Sequence, residues 1–373
     1  MVDIEMYTEN DLVSILKREN NNKRKYLVAN KLQGKHIAVN PYETLKMFDE
    51  LAEIVKEEYK GEEVLLVGFA ETATAIGSRL AIDMNSYYMQ TTRENIENVE
   101  YLYFTESHSH ATEQKLVKTD LDVIIDKIDR IIFVEDEVTT GNTILKIIDI
   151  IENTYEKNIR FSVASILNGM DEASRKIYDD RSIKLHYLVK TNHEPYSSIA
   201  ESYKGDGRYY EPLDGKDVAS KEFTVTSRYV DARRLTKGED YYNACEELCK
   251  QIDELIDFKE DERVLVMGTE EFMYPAIHVA FRLAEKGCIV RTHSTTRSPI
   301  TVSLEDEYSL KARYKLHSMY DDDRCIYVYN IDKYEKVIIV TDAKNELSLG
   351  IENLKGALAS CGNTYISVVR WCK

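Results

Sequence analysis

Apolar residues along this chain follow two rhythms. Short unbroken runs mark strands buried on both faces, and longer stretches with apolar residues three or four apart mark helices. Over 41–59, Leu45, Phe48, Leu51, Ile54 and Val55 fall on one helical face, and Pro41 suits a first turn. Residues 64–67 are wholly apolar and predict a strand, with a loop over 68–73 and a helix over 74–82. Further strands are expected at 86–90, 101–104, 131–134, 159–166 and 185–189, and a helix at 144–151. The N-terminal 20 residues are polar and acidic apart from one short amphipathic stretch (Leu12, Ile15, Leu16), and 26–28 predicts a short strand. Strand and helix alternate in this order when a parallel sheet carries helices on both faces.

Residues 203–216 are rich in Gly, Asp and Lys and read as a linker. The pattern then begins again. A helix over 241–256 enters a strand at Val264, as 41–59 enters Val64. Thr295, Thr296 and Arg297 echo Thr91, Thr92 and Arg93, and residues 336–342 echo 130–136. The offsets run 200, 203, 204 and 206 in unbroken order, which points to a diverged internal repeat, the alternative being the rhythm that any two doubly wound domains share. The expected fold is α/β: two doubly wound parallel-sheet domains, at 1–202 and 221–373, joined by a linker at 203–220.

Chemistry concentrates at the end of the 131–134 strand. Glu135 and Asp136 follow it, then Thr139, Thr140, Gly141, Asn142 and Thr143, then the helix. A helix N-terminus offers unpaired N–H groups and a positive dipole end. Threonine hydroxyls, and a glycine that lets the backbone approach, make such an end a phosphate cradle. Open α/β sheets bind ligands at the carboxyl ends of their strands. A phosphate site beside two carboxylates suits a sugar phosphate with free hydroxyls, with Mg²⁺ nearby. The plainer alternative is a helix merely capped by Thr139 or Thr140. The repeat keeps Asp342 but has Thr341 in place of Glu135 and no cradle.

This succession of strand, acidic pair, threonine-glycine loop and helix resembles the signature of type I phosphoribosyltransferases. The resemblance implies that Glu135 and Asp136 grip the ribose hydroxyls of phosphoribosyl pyrophosphate and that residues 139–143 hold its 5′-phosphate. Pyrophosphate is then expected at Gly68, Phe69, Ala70, Glu71, Thr72 and Ala73, with Arg93 as a clamp. Mg²⁺ would sit through Glu135, Asp136 or Glu71. Glu71 departs from the small or basic residues usual in such loops. His108 and His110 lie where the family carries a mobile loop that closes over the reaction centre, and are candidates for proton transfer or pyrophosphate binding. Lys35 and His36 are candidates for contacting the base, with a solvated charged loop as the equal alternative.

More narrowly, residues 34–36, 68–73, 108–111 and 134–141 resemble the orotate phosphoribosyltransferase-like domains of bacterial tellurium-resistance-type gene clusters. Thr296, Arg297, Ser298 and Pro299 spell the tetrad of the TRSP domain that follows them. Thr296, Arg297 and Ser298 become second-domain candidates for an anion, against a simple turn ending at Pro299. The resemblance implies a Mg²⁺-dependent phosphoribosyltransferase that joins phosphoribosyl pyrophosphate to a small base-like acceptor in making a nucleoside-like metabolite. Two other readings remain: an enzyme of this fold acting on a preformed nucleotide or ribosyl phosphate, and a non-catalytic regulator that binds phosphoribosyl pyrophosphate.

Bulk composition narrows the partners. A net charge of −17 argues against a general nucleic-acid binder. With no signal-like N-terminus and no apolar run near 18 residues, a cytoplasmic protein without a membrane partner is expected, and a homo-oligomer. The six cysteines show no zinc spacing and read as buried reduced thiols.

Overall fold

The computed structural model describes residues 7–19, 24–104, 114–345 and 348–373. They pack into two compact units that interleave along the chain. The first holds 45–191 and 230–243; the second holds 8–44, 192–229 and 244–373. The linear boundaries drawn from the sequence are thus crossed by exchanged segments.

The first unit is built on a six-stranded sheet. Its spatial order is Thr236–Lys237, Tyr87–Gln90, Val64–Gly68, Arg130–Val138, Arg160–Asn168 and Lys184–Lys190. All neighbours are parallel except the Thr236–Lys237 edge. Every residue of Val64–Gly68 is buried, as a strand covered by helices on both faces requires. Helix Thr74–Met84 returns the chain from Val64–Gly68 to Tyr87–Gln90 and ends at Asn85 in the left-handed conformation. The edge is secured by Arg234, which forks onto Asp120 at 2.6 and 2.7 Å. A separate hairpin pairs Tyr101–Phe104 with Gln114–Val117.

The second unit has a five-stranded parallel sheet, ordered Ser220–Val225, Ile366–Trp371, Lys336–Thr341, Arg263–Gly268 and Ile289–Ser294. Its last four strands repeat the order of the first unit's central four. The register repeats too. Leu65 pairs with Tyr87 and Leu265 with Arg291; Val64 pairs with Arg130 and Val264 with Lys336. The internal repeat is therefore a repeat of structure. The copies part at one edge, where the strand beside Ile366–Trp371 comes from earlier in the chain.

Two local expectations change. Leu12, Ile15 and Leu16 do not share one helix: the chain forms helix Glu9–Leu12 and then strand Val13–Lys17, paired with Tyr26–Asn30. The stretch read as a linker is built into the second unit, where Arg208–Tyr210 pairs with Ala312–His317. Its glycines serve close approach: a Cβ on Gly215 would lie 2.0 Å from the Glu352 carbonyl oxygen. Cys245, Cys249, Cys288 and Cys372 are buried, Cys361 is half-buried, and Cys325 is exposed, against expectation. No helix among the described residues is long and apolar enough to cross a membrane.

Candidate active site

The strand carrying the acidic residues is longer than its apolar run. Its pairing with Val64–Gly68 ends at Val134 opposite Gly68, while its pairing with Arg160–Asn168 runs on to Val138. Glu135, Asp136 and Glu137 thus stand on strand backbone, half-buried, past the end of a shorter neighbour. The sequence placed Glu135 and Asp136 after the strand; the ladder with Arg160–Asn168 carries it through them and brings Glu137 alongside.

The loop after Val64–Gly68 fills the space so created. Phe69 donates its N–H to the Val134 carbonyl at 3.0 Å and packs its ring edgewise on Phe104 and Phe133. Phe69 and Ala73 are buried, so their side chains serve the core. The half-buried side chains of the loop are those of Glu71 and Thr72. Both backbone groups of Ala70 are held by side chains: its N–H donates to Thr91 Oγ1 at 2.8 Å, and its carbonyl accepts from Gln114 Nε2 at 3.1 Å. The Ala70–Glu71 peptide is cis. Thr72 Oγ1 donates to Asp136 Oδ1 at 2.7 Å, joining this loop to the acidic strand. Burial pushes the Asp136 carboxyl up to about 6; the Thr72 hydrogen bond opposes the shift and the Glu137 charge adds to it.

At the second loop, helix Asn142–Thr154 begins after Gly141, which has φ +68°. The N-cap residue is Gly141, which has no side chain to cap the helix. The Thr140 hydroxyl stands 3.4 Å from the Asn142 N–H, a long contact. Thr140 and Asn142 are exposed, and Thr139, Gly141 and Thr143 half-buried. Tyr178 donates its hydroxyl to the Gly141 carbonyl at 2.7 Å. A Cβ on Gly141 would lie 2.1 Å from that hydroxyl and 2.7 Å from the Met170 methyl. Gly141→Ala therefore combines a steric conflict with an unfavourable backbone region. It should destabilise the first unit by about 2 kcal/mol, read as a lowered urea midpoint.

The other candidates are placed as follows. Arg93 is half-buried, just past the Thr92 bridge to Lys115. His108 and His110 lie outside the described residues. Lys35 and His36 belong to the second unit and are buried, Lys35 donating to the Glu270 carbonyl at 2.7 Å. The solvated loop expected as their alternative is thus not what forms. Sequence reasoning missed Thr91, Gln114, Tyr88 and Tyr178, which support the loops from beneath. Only Thr91 left a trace, as part of the repeated tripeptide.

The second unit keeps the frame of the site and fills its centre. Glu270 stands at the position of Ala70, and its N–H donates to Thr295 Oγ1 at 3.0 Å, as Ala70 does to Thr91. The fully buried Glu270 carboxylate accepts from Arg297 Nε at 2.7 Å and Ser318 Oγ at 2.5 Å, with Arg324 Nε at 3.5 Å. Arg297 also lies 3.5 Å from Glu271. Its guanidinium is engaged by the chain's own carboxylates, against the expectation of an anion site. Thr296 is buried in a backbone bridge with Tyr327, and the Ser298 N–H turns back onto the Thr296 hydroxyl at 3.2 Å.

Among the described residues no group of three or more His, Cys, Asp or Glu side chains could by itself hold a metal. The half-buried Glu135 and Asp136 nevertheless fit Mg²⁺, which commonly takes one or two carboxylates and completes its shell with water and substrate oxygens.

Residues 12–193 match the family model described as phosphoribosyl transferase, and residues 234–354 match the TRSP domain that lies C-terminal to it. No curated protein matches the chain. Among solved structures, adenine phosphoribosyltransferase from Giardia lamblia, complexed with 9-deazaadenine, is 15% identical over 49% of this chain and 96% of its own, with a TM-score of 0.37. The enzyme from Trypanosoma brucei, in complex with AMP, pyrophosphate and ribose-5-phosphate, is 13% identical over 48% and 76%, TM-score 0.34. Orotate phosphoribosyltransferase from Aeropyrum pernix is 13% identical over 51% and 92%, TM-score 0.32.

Proposed function

We propose that this chain, a phosphoribosyltransferase that belongs to the phosphoribosyl transferase family and carries that family's C-terminal TRSP domain, transfers the phosphoribosyl group of phosphoribosyl pyrophosphate to a nitrogen of a small base-like acceptor. The ribose C1–oxygen bond breaks, pyrophosphate leaves with the bonding electrons, and the acceptor nitrogen bonds to C1. The observation that supports this reading is the 2.7 Å hydrogen bond from Thr72 to Asp136, which ties the loop proposed for pyrophosphate to the acidic strand that leads into the loop proposed for the 5′-phosphate.

In this reading the backbone N–H groups of 139–143, with Thr139, Thr140 and Thr143, hold the 5′-phosphate. Glu135 and Asp136 accept hydrogen bonds from the ribose hydroxyls and orient the sugar, and their negative charge favours the cationic character that develops at C1. Loop 68–73 and helix Thr74–Met84 receive the pyrophosphate, with Arg93 as a further cation. His108 and His110 remain candidates for proton transfer to the leaving group or from the acceptor. Glu135, Asp136 or Glu71 would hold Mg²⁺, which would supply neutralisation of the charge on the leaving pyrophosphate.

The test is pyrophosphate release from labelled phosphoribosyl pyrophosphate, with Mg²⁺, against a panel of purine, pyrimidine and smaller nitrogen heterocycles. Acceptor-dependent release with label transfer is expected. Binding of the donor without release for any acceptor would remove the proposed transfer.

A further inference from the structure

Each phosphate-accepting loop of the first unit rests on one buried tyrosine. We propose that Tyr88 and Tyr178 are positioning residues that set these loops independently: Tyr88 the pyrophosphate loop, Tyr178 the 5′-phosphate loop. The inference rests on the reading of the site given above.

Tyr88 lies on strand Tyr87–Gln90 and is fully buried. Its hydroxyl donates to the Thr74 carbonyl at 2.8 Å, at the first turn of helix Thr74–Met84. Two glycines make room for it. A Cβ on Gly68 would lie 2.7 Å from the hydroxyl, and a Cβ on Gly77 would lie 2.9 Å from the ring. The tyrosine therefore touches both the start of the loop and the helix that ends it. Tyr178, on helix Glu172–Asp180, does the same for the other loop through the Gly141 carbonyl. Burial raises both phenols, so both stay protonated and remain donors. Neither side chain is exposed, so neither touches substrate; each acts through the backbone it holds.

The internal repeat supplies a control. In the sheet register, Leu66 faces Tyr88 and Val266 faces Thr292, so Thr292 occupies the tyrosine's place. Ala276 lies against Gly268 as Gly77 lies against Gly68, so the second unit keeps a small residue on the helix there. The copy whose cradle is gone has lost the tyrosine while keeping the small helix residue opposite it. Were the tyrosine needed only to fill the sheet-helix layer, the second unit would need it equally.

Calorimetry on the full chain, with ribose 5-phosphate and with magnesium pyrophosphate as separate probes, tests the proposal. Tyr88→Phe should weaken pyrophosphate binding about three- to tenfold, the effect of one neutral hydrogen bond, and leave ribose 5-phosphate within about twofold. Tyr178→Phe should do the reverse. Phenylalanine keeps each ring, and melting temperatures establish that the variants fold. Tyr88→Met and Tyr178→Met, which drop the hydroxyl with different packing, must give the same crossed pattern. Equal loss for both probes, or no loss, overturns the proposal while leaving the site reading intact. Failure of the wild-type chain to bind either probe overturns the site reading and the inference with it.

Discussion

Asp136→Asn should weaken binding of phosphoribosyl pyrophosphate by about ten- to a hundredfold at pH 7.5 and at the same time make the first unit more stable. The first effect is the loss of the charge-assisted contacts to ribose hydroxyls that the proposed site assigns to Asp136. The second follows from the position of Asp136, whose carboxyl burial pushes from 3.8 up to about 6. A folded carboxyl that titrates above its unfolded value favours the fold in its protonated form. That contribution is fully present below about pH 3.8 and is lost as pH rises through about 6. Above that window the wild type carries a desolvated charge, which asparagine removes while keeping an oxygen to accept from Thr72. The variant should gain about 1–3 kcal/mol over the wild type at pH 7.5 and nothing near pH 3.5. Its binding deficit should narrow below pH 6, where the wild-type carboxyl is also neutral. Titration calorimetry and urea melts across pH 3.5–8 read both effects. Unchanged donor affinity in Asp136→Asn would remove the central residue of the site.

Glu270→Ala should be the most destabilising single change outside the first unit's core, lowering stability by about 3–5 kcal/mol. The fully buried carboxylate is the shared partner of Arg297 and Ser318, with Arg324 close by. Without it, a guanidinium that is itself largely buried loses its nearest countercharge. Glu270→Gln keeps the shape and one acceptor, so it should cost less. Denaturant unfolding followed through the Trp371 fluorescence, a second-unit signal, reports this directly. A loss below about 1 kcal/mol would mean that the cluster is not acting as a buried ion pair.

The central strands of both sheets were legible in the sequence because a parallel strand buried on both faces has to be apolar along its length, as Val64–Gly68 is. The acidic pair and the threonine-glycine loop were legible because they interrupt such a run abruptly. Strand Val13–Lys17 was not, because Ser14 takes a buried place in its alternation while Ile15 points the other way. The 203–216 stretch misled for a related reason. Glycine marks flexible linkers and tight backbone contacts alike, and only the neighbour across the gap decides between them. The supporting side chains under the loops were invisible because their partners lie far off in sequence, as Gln114 does from Ala70 and Tyr178 from Gly141. Nor could the sequence place Glu270, whose two countercharges, Arg297 and Arg324, lie far along the chain from it and from each other.

The hydroxyl that receives a loop N–H, Thr91 in one copy and Thr295 in the other, is present in both units. It survives where the second unit's counterpart of loop 68–73 carries the Glu270–Arg297 ion pair. It therefore belongs to the carpentry of the strand-loop joint and is indifferent to what the joint carries. A search that used the repeated threonine-threonine-arginine tripeptide as a mark of a phosphoribosyl site would select the second copy as readily as the first. Tyr88, whose register place Thr292 takes in the second unit, separates the two copies and is the better criterion for telling them apart among chains built from the same duplicated unit.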